Sequence, residues 1–188
     1  MPSARRHNTG HRDSGAIAVE TALVSMLLVT LLFGIVDTSF LLKDWLTVSA
    51  AARAGTRMGA SQPRQPNFAD DSAVQVTNAI AGLDPANLQE VWVYRATYAT
   101  GLPASGSTCS SDCVKYTWNS GLKKLQESSN TWPHLNQNAC PGDVNRHVLG
   151  VYVKYRHSAP LGFFFNNAIV SESTVMWIEP SFALVCKP

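Results

Sequence analysis

From Thr21 to Val36 the chain carries no charged residue: Thr-Ala-Leu-Val-Ser-Met-Leu-Leu-Val-Thr-Leu-Leu-Phe-Gly-Ile-Val. Counted from Ala16, the apolar stretch is 21 residues long with one charge, Glu20. About 20 mostly apolar residues are what a helix needs to cross the hydrocarbon core of a bilayer. A core helix of a soluble domain keeps a polar stripe for solvent, and none can be drawn here. The run therefore predicts a single transmembrane helix, and the rest of the chain must fold on one side of it. Arg5, Arg6 and Arg12 precede the run. The positive-inside bias then places the N-terminus in the cytoplasm and the C-terminal domain outside.

Charge, split by position, narrows the function. The chain has 15 Lys and Arg against 13 Asp and Glu. Three of those cations and one anion, Asp13, fall in residues 1–15, which leaves twelve of each sign in the remainder. A neutral body gives no electrostatic reason to expect nucleic-acid binding. A cleaved secretory signal would have a shorter apolar core and a small-x-small site. Phe33-Gly34-Ile35-Val36-Asp37 offers no such site, and Arg5-Arg6 lacks the apolar residue a twin-arginine signal needs.

A plain anchor leaves Glu20 unexplained, since a carboxylate in a span costs roughly 2.5–3.5 kcal/mol on insertion scales. Gly15 ends the basic leader, and Ala16-Ile17-Ala18-Val19-Glu20 follows. Cleavage after Gly15 would make Ala16 the new N-terminus and Glu20 the fifth residue. A freed α-amino group at the end of one apolar helix and a carboxylate one turn along its neighbour attract strongly at low dielectric. Such a pair can set the stagger between subunits. This arrangement resembles the processing motif of type IV pilins and pseudopilins.

The likeness extends further. Gly-Ala-Ile-Ala-Val-Glu-Thr-Ala-Leu-Val (15–24), Leu-Leu-Phe-Gly-Ile-Val-Asp (31–37) and Ala-Ala-Ala-Arg-Ala-Gly-Thr-Arg (50–57) are similar to the TadE family. These are minor pilin-like proteins of the tight adherence (Flp) pilus system. Thr21 replaces the aromatic residue usual after the glutamate, and Thr56 replaces an alanine. A weaker likeness is the ending Ser171 to Pro180, a strand closing on Glu-Pro. The resemblance implies that a membrane prepilin peptidase cuts between Gly15 and Ala16. It also implies that Glu20 serves subunit assembly, that other pilin-like subunits are partners through the apolar helix, and that the mature chain can enter a cell-surface pilus.

Beyond the membrane, Leu41, Trp45, Val48, Ala52, Gly55 and Gly59 recur on one helical face. Their shrinking size predicts a spine on which another element packs closely. The helix from Ala16 to Ala60 would be about 65–70 Å long at 1.5 Å per residue. Asp37 and Asp44 read as solvated charges beyond the span, and Trp45 as an interfacial anchor. Gln62-Pro63-Arg64-Gln65-Pro66 breaks the helix. Asp71 or Ser72 can cap a second helix, which Gly82 and Pro85 close. Strands are expected over 91–98, 113–118, 147–157 and 168–178. Residues 119–146 form a polar excursion with a short helix over Leu122–Gln126. Phe163, Phe164 and Phe165 form a loop that plugs the core or meets a partner. The expected fold is α+β: a long spine helix packed on a mostly antiparallel four-stranded sheet, as in type IV pilins. The domain division is 1–15 leader, 16–36 span, 37–60 helix continuation and 61–188 extracytoplasmic head.

Cys109, Cys113, Cys140 and Cys186 all lie in that head, an even number that reads as two disulfides. The pairing Cys109–Cys113 with Cys140–Cys186 is favoured over the other two. The spacing lacks the second close pair usual for zinc, so no metal is expected. The common hydrolase, nucleotide-binding and metalloprotease motifs are absent from the sequence. No catalytic residue or cofactor is expected. Cys140 with His147 could be read as a nucleophile and base, but a disulfide is the better reading outside the cytoplasm. The expected function is structural: a minor pilin or pseudopilin acting in pilus initiation, tip or assembly. The alternative is a membrane-anchored extracytoplasmic binding domain that never joins a filament.

Overall fold

Helix α1 runs unbroken from Gly10 to Ala60 in the computed structural model, which describes residues 10–159, 162 and 164–180, with side chains from Gly15 onward. Its first half is bare. Every residue from Gly15 to Leu32 is exposed, and the most apolar 18-residue window has a mean hydropathy of 2.3 with none of it buried. By length and composition this helix can cross a membrane once.

The second half of α1 is buried on one face by the rest of the chain. Val48, Ala51, Ala52 and Ala60 have no exposed surface. Gly55 and Gly59 are where the closest approach occurs. A Cβ on Gly55 would stand 2.6 Å from Val76 Cγ2 and 3.1 Å from the Ser72 carbonyl oxygen. One on Gly59 would meet the Ser72 hydroxyl and stand 3.0 Å from Leu149 Cδ1. Trp45, expected in this stripe, is 43% exposed, and Asp44 beside it is buried instead. The apolar residue was the natural choice for the buried face, but the sheet supplies a partner for the charged one.

Helix α2, Phe68–Ala79, begins earlier than a cap at Asp71 or Ser72 would allow. Ser72 is inside the helix, buried, with its hydroxyl donating to the Phe68 carbonyl at 2.7 Å. Phe68 packs edge-on against the buried Trp132, ring centroids 5.3 Å apart. That contact draws the first turn upstream, and tertiary packing overrides the local capping signal.

The sheet has five antiparallel strands, not four: β1 Leu88–Ala96, β2 Cys113–Asn119, β3 Lys124–Asn130, β4 Val148–Arg156 and β5 Ile169–Trp177. Their order is β3-β2-β1-β4-β5. With α1 and α2 on one side, the layout is α+β. The additional strand replaces the helix expected over Leu122–Gln126. Asn119 Oδ1 accepts the backbone N–H groups of Gly121 and Leu122, each at 3.0 Å, and closes a turn where a helix would have to start. The chain then returns along β2, from Asn119 opposite Lys124 to Val114 opposite Asn130. Most β3 side chains are exposed and polar, so no apolar alternation announces the strand.

The main core lies between the helices and the sheet face bearing Val91, Val93, Val151 and Val153, all fully buried. Tyr116 reaches across to donate its hydroxyl to Asp70 at 2.8 Å. Burial, and then the Asp70 carboxylate, push this phenol well above its ordinary pKa. On the opposite face Tyr94 lies over Gly150, where a Cβ would collide with its ring, and donates to the Gly101 carbonyl at 2.9 Å.

Gly55→Ala is expected to destabilise the head by about 1–2 kcal/mol. Overpacking costs about 1–3 kcal/mol and outweighs the gain of up to about 1 kcal/mol in helix propensity. Gly82→Ala, where an added Cβ meets nothing within 4 Å, should change stability by about 0.5 kcal/mol at most. Urea unfolding of the detergent-solubilised chain, followed by tryptophan fluorescence, measures both.

Candidate functional site

Two places along α1 are candidates for a functional role, one at each end of the apolar run. At the N-terminal end, Gly15, Ala16 and Glu20 are exposed on bare helix. Nothing described lies within 4 Å of a Cβ built on Gly15. The hydroxyls of Thr21 and Thr30 donate to the Ile17 and Met26 carbonyls at 2.8 Å, so these polar groups are satisfied within the helix. Glu20 is the one charged side chain between Ala16 and Val36, and no described residue bonds to it. At 1.5 Å per residue it stands about 25 Å along the axis from Asp37, close to the thickness of a hydrocarbon core.

At the other end, the head is laced to the helix by polar contacts. Asp37 and Asp44 are buried, which corrects their reading as solvated charges. Asp37 is fully enclosed, and its Oδ2 accepts the backbone N–H of Phe164 at 3.2 Å. Asp44 Oδ2 lies 2.6 Å from Nδ1 of His157, whose side chain is almost fully buried. His157 is itself fixed by its backbone N–H, which donates to the Ala168 carbonyl at 2.8 Å. The Trp45 indole N–H donates to the Glu172 carboxylate. Further along, the Thr56 hydroxyl donates to Ala52 at 2.7 Å and to the Thr174 carbonyl at 3.1 Å, and the Glu179 N–H donates to the Ala60 carbonyl at 2.8 Å. The helix is thus joined to the β4–β5 loop, to β5 and to the residues just after it over its whole head-side length. A single carboxylate in a sequence does not name its partner, so this seam was not legible beforehand.

The β4–β5 loop brings Phe164 and Phe165 against the apolar run. With Thr30, Gly34, Ile35 and Leu42 they line an open groove of about 550 Å³. Phe163 lies outside the described residues.

Cys109 and Cys113 are joined by a disulfide. It closes the short loop before β2 and removes both sulfurs from any metal set. Cys140 is also disulfide-bonded, and Cys186 lies outside the described residues. Cys140 and His147 do not form a nucleophile and base. The cysteine is oxidised, and Nδ1 of His147 accepts the Asn138 N–H at 3.2 Å. Burial, and then Arg95, hold this imidazole below its ordinary pKa.

Residues 15–57 match the model of a family described as TadE-like protein. This TadE-like segment covers the bare half of α1 and most of the spine, and ends before the head. No curated protein and no solved structure matches the chain.

Asp44→Ala should destabilise the head by about 2–4 kcal/mol, because it leaves the His157 ring nitrogen buried without its partner. His157→Ala should cost a similar amount. The double variant should lose less than the sum, which urea unfolding of all four proteins will show as a coupling energy of about 0.5–3 kcal/mol.

Proposed function

We propose that this chain is a minor pilin or pseudopilin subunit of a Tad-type (Flp) pilus or secretion apparatus. The observation that carries the reading is the TadE-like segment itself: a bare apolar helix, one carboxylate near its start, and an α+β head mounted on its far half. The role is structural, in initiation, tip or assembly, and needs no catalytic residue or cofactor. A prepilin peptidase would remove residues 1–15 by cutting between Gly15 and Ala16. Gly15 lies within α1, so the bond must leave the helix to be cut; glycine weakens a helix there by up to about 1 kcal/mol relative to alanine.

In the assembled state Glu20 would face the new α-amino group of a neighbouring subunit. The exposure of the helix from Gly15 to Leu32 supports this, since the head leaves that surface open to neighbours and lipid. The orientation has the arginine-bearing end in the cytoplasm and the head outside. The Cys109–Cys113 disulfide supports it, because disulfides persist in oxidising compartments. The proposed second bridge is Cys140–Cys186.

A second reading has a specific observation behind it. On the sheet face away from the helices, Trp92, Tyr94, Tyr152 and Ser173 line a cavity of about 320 Å³. Trp92 and Tyr152 pack with ring centroids 4.4 Å apart. A membrane-anchored domain that binds a ligand there would not need cleavage or a filament.

Processing separates the two. Intact-mass measurement of membrane-extracted protein, from cells with an active prepilin peptidase, should give a chain beginning at Ala16; an uncut chain would reject the pilin reading. In the cleaved protein, Glu20→Ala and Glu20→Gln should both insert normally, since removing a charge from a span eases insertion. Both should recover fewer partner subunits on co-purification. A dry amine left unpaired would cost roughly 3–5 kcal/mol, and less where water reaches it. Equal recovery from all three proteins would remove Glu20 from assembly.

A further inference from the structure

Phe164 and Phe165 follow β4 in sequence, yet the fold returns them to the apolar run of α1. A Cβ on Gly34 would lie 3.9 Å from the Phe164 ring. The same ring faces Met26, Val29, Thr30 and Phe33 across a second recess of about 410 Å³. Along the axis Gly34 is about 5 Å, and Thr30 about 10 Å, from the level of Asp37 on the side away from the head. The Phe164 ring therefore reaches back over the charge-free residues, past the last buried carboxylate.

Both rings stay open to the surroundings, Phe164 by 52% and Phe165 by 38%. They share one continuous apolar surface with the uncovered helix from Gly15 to Leu32. The hydroxyls on the groove wall seek no partner, because those of Thr30, Thr38 and Ser39 donate to the carbonyls of Met26, Gly34 and Ile35. The Phe164 N–H, which hydrocarbon could not satisfy, is held by Asp37.

We infer that the β4–β5 loop is a second membrane contact: Phe164 and Phe165 enter the head-side leaflet, and lipid acyl chains fill the groove between them and α1. This rests on the reading of α1 as a membrane span. Given that span, the depth follows from geometry. The Phe164 ring, at the level of Thr30 to Gly34, lies about 5–10 Å below Asp37, the depth to which interfacial apolar elements sink. The span alone leaves the helix and its head free to rotate and tilt together in the bilayer. A second contact, tied to α1 through the His157–Asp44 and Phe164–Asp37 bonds, fixes their attitude to the bilayer.

Single spin labels on Phe164→Cys and Phe165→Cys test this in the full chain, with native disulfides intact, reconstituted into phosphatidylcholine vesicles. Leu27→Cys, at a position 60% exposed on the span and outside both recesses, serves as the span reference. Val144→Cys, at a position 91% exposed and far from the span in sequence, is the aqueous reference. The measurement is collision with oxygen, which concentrates in lipid, against collision with a water-soluble nickel chelate. The inference expects both loop labels to match Leu27 and to differ from Val144. Two water-like loop labels beside a lipid-like Leu27 would overturn the inference and leave the span standing. A water-like Leu27 would overturn the span and the inference together. Loop labels shielded from both reagents, with spin–spin broadening lost on dilution by unlabelled chain, would show a second copy in the groove and also overturn it.

Discussion

The close seat at Gly55 and Gly59 is the constraint on which the head depends. Both α2 and the sheet approach the backbone of α1 there, through Ser72, Val76 and Leu149, at distances that no side chain would permit. The flanking residues, Ala51, Ala52 and Ala60, are small as well and fully buried. Fully burying a side chain of the size of Val48 or Val76 is worth about 1.5–3 kcal/mol, and that gain is available only if the surfaces meet without a void. The TadE-like match ends at residue 57, so it covers one of these glycines and the start of the seat, but neither partner that fills it.

Polar contacts do a different job from apolar packing here. Asp37, Asp44 and Trp45 lie within two to three turns of the end of the apolar run, and each meets a group from β5 or the β4–β5 loop. Apolar packing is tolerant of sliding, whereas a buried carboxylate on a ring nitrogen allows one rotation and one height. The seam thus fixes how far along α1 the head is mounted. That height also sets where along the apolar run Phe164 rests. The apolar run itself is left bare by the head.

The helix and its end at Ala60 could be read from the sequence because period, charge and proline act locally, although the helix begins at Gly10, six residues before the expected Ala16. The central strands β1 and β4 were legible for the same reason, as alternating Val and aromatic residues half-buried on a sheet. Strand β3 was not. It is an edge strand of polar residues whose stability comes from pairing with β2, and backbone pairing leaves no mark on side-chain chemistry. The start of α2 was misplaced because Ser72 has the chemistry of a cap, while its actual position is decided by Phe68 against Trp132.

The sequence by itself determined that this protein has one bare apolar helix, one carboxylate near its start, and a cysteine-bearing α+β head after it. These follow from hydropathy and charge, which every residue carries wherever the chain places it. The tertiary structure alone decided that Asp37 and Asp44 are buried, that Trp45 is not, and that two phenylalanines from a distant loop lie against the apolar run. Burial of a charge is set by its partner, and His157 stands 113 residues from Asp44, Phe164 127 from Asp37. Only the fold brings such partners within bonding distance.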